Sequence, residues 1–319
     1  MQKWITFLMT FLVGSASYMN ANATVGDVNV FAGYRHDQIE FTSHVPSSNP
    51  IFKESVKFKD INIFQLGANF KTTIGCNFYA RAEASFGWIL DGEVEKKASL
   101  RQQIEGCSSD RFDRILTAEH KNVVDDRYVY DINVAIGYPF YFCDCTTVLA
   151  PVIGYAFDSQ HVSSHDNFSF GGDDCYSEAS CCKHSFLQRW YGPFVGVDFN
   201  YRPFNDCWNL FAAFEYHWGT CQLKRSVASS FDSNERFSTS ADMDGYVVNL
   251  GADYEMCDKW TVGLYLKFTS FEASKHHHWC HNSSSSDYYS SSSDNSDVRG
   301  KRKTHWDSYA VNIELGRQF

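Results

Sequence analysis

Glu215 and His217 stand two residues apart. On a strand that spacing puts both side chains on one face, where a carboxylate can orient an imidazole as a general base. Asp158 and His161 fall near the same rim. No second acidic pair stands at matching spacing, so the chain is not expected to be an enzyme. His276, His277, His278 and His281, with Cys280, offer ligands for a transition metal. Their Ser-rich surroundings preorganise nothing, and the expectation is a solvated loop with no metal and no cofactor. Cys143-x-Cys145 and the vicinal Cys181-Cys182 are poor templates for tetrahedral zinc. Arg299, Lys301, Arg302 and Lys303 form a basic stretch that either meets phosphate groups or keeps its loop soluble.

The elements that must position these residues read as strands. Period-two alternation recurs over 27–35, 58–70, 78–88, 128–138, 148–157, 191–201, 210–219, 246–255, 262–269 and 308–319. The stretch 58–70 is the least regular, and Ile61-Asn62-Ile63-Phe64 points to a bulge or a shift of face there. Outside 58–70 one row of each stretch is apolar, interrupted in the last only by Arg317. The other carries Arg81, Glu83, Asp131, Asn133, Asp198, Glu215, His217, Asn249, Asp253, Glu255, Lys267, Asn312 and Glu314. Short turns (72–77, 139–146, 203–207, 256–259) alternate with long polar connections (44–50, 91–125, 159–184, 222–242, 275–303).

Short turns at one end and long loops at the other are the habit of outer-membrane β-barrels. The predicted fold is all-β: an antiparallel transmembrane barrel of about ten strands, with the polar rows lining a pore or filling the interior. An even strand count puts both chain ends on the periplasmic side. The first residues agree. Lys3, the apolar run from Trp4 to Val13 and Ala21-Asn22-Ala23 read as a signal peptide over 1–23. Residues 24–319 then form a single barrel domain. No stretch reaches the eighteen apolar residues of a spanning helix. Aromatic residues make up 17% of the chain, yet the mean hydropathy is −0.36. A lipid-facing barrel with aromatic girdles produces that combination. A net charge of −10 gives no reason to expect nucleic acid as a partner.

Eleven cysteines in an exported chain point to disulfides, and an odd count leaves at least one thiol free or paired between molecules. Cys76, Cys143, Cys145, Cys207 and Cys257 sit on the short turns and would ring the periplasmic rim. Cys107, Cys175, Cys181, Cys182, Cys221 and Cys280 fall in or beside the external loops.

Tyr309, Val311, Ile313, Leu315 and the terminal Phe319 resemble the last strand of bacterial outer-membrane barrels, the signal read by the barrel-assembly machinery. Signal peptide, alternating aromatic-rich strands, many cysteines and a terminal Phe together resemble the cysteine-rich major outer membrane proteins of chlamydiae and their environmental relatives. They are also similar to the pore-forming major outer membrane protein family described in Legionella. The resemblance implies a porin-like protein that passes small solutes and joins a disulfide-linked envelope. Its implied partners are outer-membrane lipid and lipopolysaccharide, the assembly machinery, and other envelope proteins or a second copy held by disulfides. The alternative is a non-conducting structural or adhesive surface barrel. Ten-stranded barrels also include the omptin proteases, so an outer-membrane protease is the third reading, resting on Glu215 and His217.

Overall fold

A computed structural model describes residues 24–45, 51–74, 78–102, 114–125, 128–142, 146–166, 182–203, 207–228, 235–279 and 298–319. The signal peptide assigned to 1–23 lies outside these residues. The chain forms β1 (Thr24–Val45), β2 (Ile51–Ile74), β3 (Phe78–Gln102), β4 in two collinear segments (Arg114–Asp125 and Tyr128–Gly137), β5 (Thr147–Asp166), β6 (Cys182–Tyr201), β7 (Trp208–Ala228), β8 (Glu235–Glu255), β9 (Trp260–Trp279) and β10 (Val298–Gln318). A three-residue strand, Phe140–Phe142, hooks onto the start of β5. All pairings are antiparallel between chain neighbours, and β1 pairs with β10 from Asp27↔Gln318 to His44↔Lys301. The sheet therefore closes on itself as a ten-stranded barrel, which removes every free edge.

The expected strands are present, but they run well past their expected outer ends. Most of the polar connection 91–125 is strand, because β3 reaches Gln102 and β4 begins at Arg114. Likewise β9 runs to Trp279 and β10 starts at Val298. The 21 residues of β10 make about 70 Å of strand, rising about 50 Å at the usual tilt, against an apolar band about 25 Å tall. Roughly half of the barrel thus stands beyond the membrane.

The two halves have opposite polarity on the same alternating faces. In the half next to the short turns, Val30, Val134, Ile153, Leu264, Val311 and Ile313 point outward and are exposed. Beyond them the exposed positions are polar: Lys57 faces Glu40, Lys303 faces Glu272 and His305 faces Asp307. The inward positions of this outer half are apolar. Ile39, Phe58, Val94, Val129, Val162, Trp190, Cys221, Met243, Phe271 and Trp306 come one from each of the ten strands and pack into a single core across the lumen. Trp190, Phe271 and Trp306 have ring centroids 5.3–6.0 Å apart and are at most 1% exposed. Burying each such ring stabilises the fold by on the order of 3 kcal/mol.

The irregularity expected in β2 is a bulge. Register with β3 shifts around Lys59–Ile63, and Asp60 adopts φ 52°. Above it Val56 and Phe58 face inward; below it the inward row moves to Ile61, Ile63 and Gln65. The extra residue keeps an apolar row inside on both sides of the change.

Candidate functional site in the barrel interior

Below the apolar core the lumen is filled by polar side chains in three layers. The uppermost centres on Arg35, whose Nε and Nη2 donate to Asp37 at 2.7 Å each and whose Nη1 donates to Asp131 at 2.6 Å. Gln160 donates to Asp37 at 2.8 Å and Ser85 to Asp131 at 3.0 Å. The guanidinium lies 5.2 Å from the Trp306 ring, so this layer seats directly on the apolar core. Lys267 donates to Glu83 at 2.7 Å beside it.

The middle layer is organised by Arg81, which binds Glu215 at 2.6 Å and Asp198 at 2.8 Å. Glu215 also takes a hydrogen bond from Asn133 at 3.0 Å and contacts His217 Nε2 at 2.8 Å. Tyr79 donates to Asp198 at 2.9 Å. His217 stacks on Phe194, centroids 4.7 Å apart. The lowest layer is a chain of amides and acids. Asn29 donates to Asn69 and Asn69 to Glu314, both at 2.9 Å; Gln65 donates to Asn312 at 2.6 Å. Asn209 donates to Asp253 at 3.3 Å, and the Lys71 ammonium sits 4.4 Å from the Phe211 ring.

Each of these contacts offsets a desolvation cost. A buried charge is tolerated when its lone pairs or protons are taken, and removing one partner of such a pair costs about 3–5 kcal/mol. Voids of about 40 Å³ and, twice, about 10 Å³ lie among these layers. Spaces of that size hold single waters or a small cluster.

All thirteen polar residues singled out from the alternation lie on the interior face. Asp131, Asp198, Glu215, His217, Asn312 and Glu314 are buried, as are Arg81 and Asn249; Glu83, Asn133, Asp253, Glu255 and Lys267 are half-buried. Arg81, Glu83, Asn133, Asp198, Glu215, His217 and Lys267 pair within the set, while Asp131, Asn312 and Glu314 are met by Arg35, Gln65 and Asn69. The sequence reading missed Arg35, Asp37, Lys71, Tyr79 and Gln160. Arg35 ends the inward row of Asn29 and Phe31 within the expected stretch 27–35, and Asp37 continues that row two residues further. Asp158 and His161 are not brought together: Asp158 lines the interior voids, while His161 meets the outward-facing Tyr128 ring and Ser185.

Three further expectations change. Cys221 is not a loop cysteine; it is buried in the outer-half core, where Gln188 donates to its sulfur at 3.8 Å. It stands outside the membrane-spanning segments, and burial pushes its thiol up to about 12. Cys207 is an exposed free thiol on the β6–β7 turn, and both cysteines are unpaired. Cys182 begins β6 and Cys257 begins the helical turn before β9. Cys76, Cys107, Cys143, Cys145, Cys175, Cys181 and Cys280 lie outside the described residues. The histidines 276–278 belong to β9 rather than a loop, paired with Lys301, Gly300 and Arg299 of β10. His281 is outside the described residues, among which no metal-binding cluster is gathered.

A closed, ten-stranded antiparallel barrel with an apolar belt, a polar filled interior and long strands at one end is an outer-membrane barrel. Residues 29–319 match the family described as Protochlamydia outer membrane protein, and the chain belongs to that family. This bears out the chlamydia-like resemblance at the level of the family. None of the curated proteins matches the chain. Among solved structures, it is similar to the outer membrane protease OmpT of Escherichia coli, at 13% identity and a TM-score of 0.54, over 92% of this chain and 97% of that one. The toluene transporter TodX of Pseudomonas putida aligns at 8% identity and a TM-score of 0.34, over 93% and 90%. At these identities the OmpT likeness speaks for the fold alone.

Proposed function

We propose that the chain is a non-conducting barrel that lifts its external loops clear of the outer membrane, serving a structural or adhesive role at the cell surface. The observation that carries this reading is the apolar core to which all ten strands contribute. A water-filled pore would leave its lining wet, yet Trp190, Glu215, His217 and Asn312 are all at most 1% exposed. Porin-like passage of small solutes, expected from the polar inner rows, would need a path around both that core and the Arg81 layer.

A hydrolase is also disfavoured. Glu215 is already held by Arg81, Asn133 and His217, deep in the lumen, where no substrate chain reaches it. The exposed Cys207 thiol on a periplasmic turn supports attachment to other envelope proteins through disulfides. Lipopolysaccharide at the outer rim and the assembly machinery at the closing strand complete the proposed partners.

Single-channel recording of the refolded chain in a planar bilayer, with and without reductant, tests the reading. A folded barrel that stays silent in both conditions is expected. Stable ohmic steps would overturn it in favour of a porin.

A further inference from the structure

One sector of the outer wall carries charge of a single sign. Strand register sets residues of β9, β10, β1, β2 and β3 in rows, and rows two residues apart share a face. The row Glu272, His305, Glu40, Lys57 and Glu95 lies on the outward face. Its acids are matched: Glu40 meets Lys57 at 3.5 Å, Glu272 meets Lys303 at 3.2 Å and Glu95 meets Lys97 at 2.6 Å. Two residues further out the row is Ser274, Lys303, Thr42, Ser55 and Lys97. Two further again it is His276, Lys301, His44, Lys53 and Ser99. Beyond that, Arg299 pairs with His278 and Arg101 with Ile51. None of these outer positions is an acid, in a chain whose net charge is −10.

Neighbouring strands stand about 4.8 Å apart, so His276, Lys301, His44 and Lys53 span about 15 Å of wall. Lys301 is eight residues beyond Tyr309, the outermost exposed ring of the lipid belt on β10. At the usual strand tilt it stands about 20 Å higher, well above the phosphates of the membrane surface. The interleaved row, Lys275, Arg302, Ser43 and Glu54, falls on the other face and contains one acid. Two of the four basic positions are histidine, which gains charge as pH falls from about 8 to about 6. Over the same range a phosphate monoester loses its second charge, whereas a sulfate ester keeps its single one. A row that strengthens in acid is matched to an anion that does not fade.

We propose that this sector binds a sulfated polysaccharide, laid across β9, β10, β1 and β2 and held more tightly in mildly acidic than in neutral solution. A run of cations on adjacent strands offers a linear polyanion one contact per strand. The acidic remainder of the chain repels such a polymer elsewhere, which confines it to this part of the rim. The inference names a partner for the adhesive role proposed above and rests on that reading. Polysaccharide binding and conductance are separate measurements, so either can fail alone.

Binding of the refolded full-length barrel, in detergent, to immobilised heparin supplies the test. Saturable binding is expected, weakened by salt and about tenfold tighter at about pH 5.5 than at about pH 7.5. Lys53→Gln combined with Lys301→Gln should weaken it about tenfold. Lys224→Gln combined with Lys259→Gln removes the same charge from exposed positions outside the sector and should leave binding unchanged. His44→Gln combined with His276→Gln should bind equally at both pH values. No saturable binding by the unaltered barrel would overturn the proposal, as would binding that does not tighten in acid. Equal effects of the two lysine pairs would overturn it too. In competition, tighter binding of DNA, polyglutamate or lipopolysaccharide than of heparin would overturn it in favour of that polyanion. The unaltered barrel is decisive even where a variant does not refold.

Discussion

Val311 and His305 lie on the same strand and the same face, six residues apart, yet they meet different solvents. Val311 is 49% exposed within a belt of Tyr309, Ile313 and Leu315, and its surroundings are lipid. His305 is exposed beside Asp307, and its surroundings are water. The interior inverts in step: Asn312 and Glu314 are buried below, Trp306 above. In the membrane half, the hydrophobic effect gives the lumen no advantage over the lipid, so the lumen can be polar provided its groups satisfy one another. In the outer half the wall is wetted outside, and the barrel needs a dry core like any soluble protein. One strand therefore carries two folding codes joined end to end.

The largest losses should come from breaking each interior in its own currency. Arg81→Met takes the paired guanidinium away from Glu215 and Asp198 and should cost about 3–5 kcal/mol, read by guanidinium unfolding in detergent. Trp306→Ala empties the outer-half core and should cost a similar ~3–5 kcal/mol. If Arg81→Met proves harmless while Trp306→Ala does not, the polar layers are filler and stability resides in the outer half.

The exterior gives the next contrast. Val311→Arg should destabilise by about 2–4 kcal/mol, because it sets a charge in the lipid belt. His305→Arg, on the same face, should stay within about 0.5 kcal/mol. Equal effects would sink the boundary between the two halves. The smallest effect is chemical. With the folded barrel treated with maleimide at pH 7.5, Cys207 should label and Cys221 should not, since burial and its raised thiol keep Cys221 protonated and out of reach. Peptide mapping reads both sites, and rapid labelling of Cys221 would mean that the outer core opens.

The lipid belt was the legible part of the chain. Strands such as 128–137 and 309–315 alternate strictly because lipid demands an apolar side chain at every second position, and that pattern needs no knowledge of neighbours. The outer halves look like loops in the sequence for the same reason. Thr304-His305-Trp306-Asp307 alternates with its apolar residue inward and charge outward, and without the lipid belt the stretch looks merely polar. The bulge in β2 was legible as a break in period, although its consequence, an inward row that stays apolar above and below, was not.

Sequence by itself determined the strand periodicity, the alternation of short turns with long connections, and which polar residues point inward. These follow from local geometry and from a solvent that acts on each residue separately. Tertiary structure alone decided what the inward residues do. Arg81 finds Glu215 134 positions away, Gln65 finds Asn312 across 247, and ten separate strands supply one apolar core. Barrel closure makes those meetings, and whether a polar row lines water or packs solid depends on how much volume the opposite wall brings into the lumen.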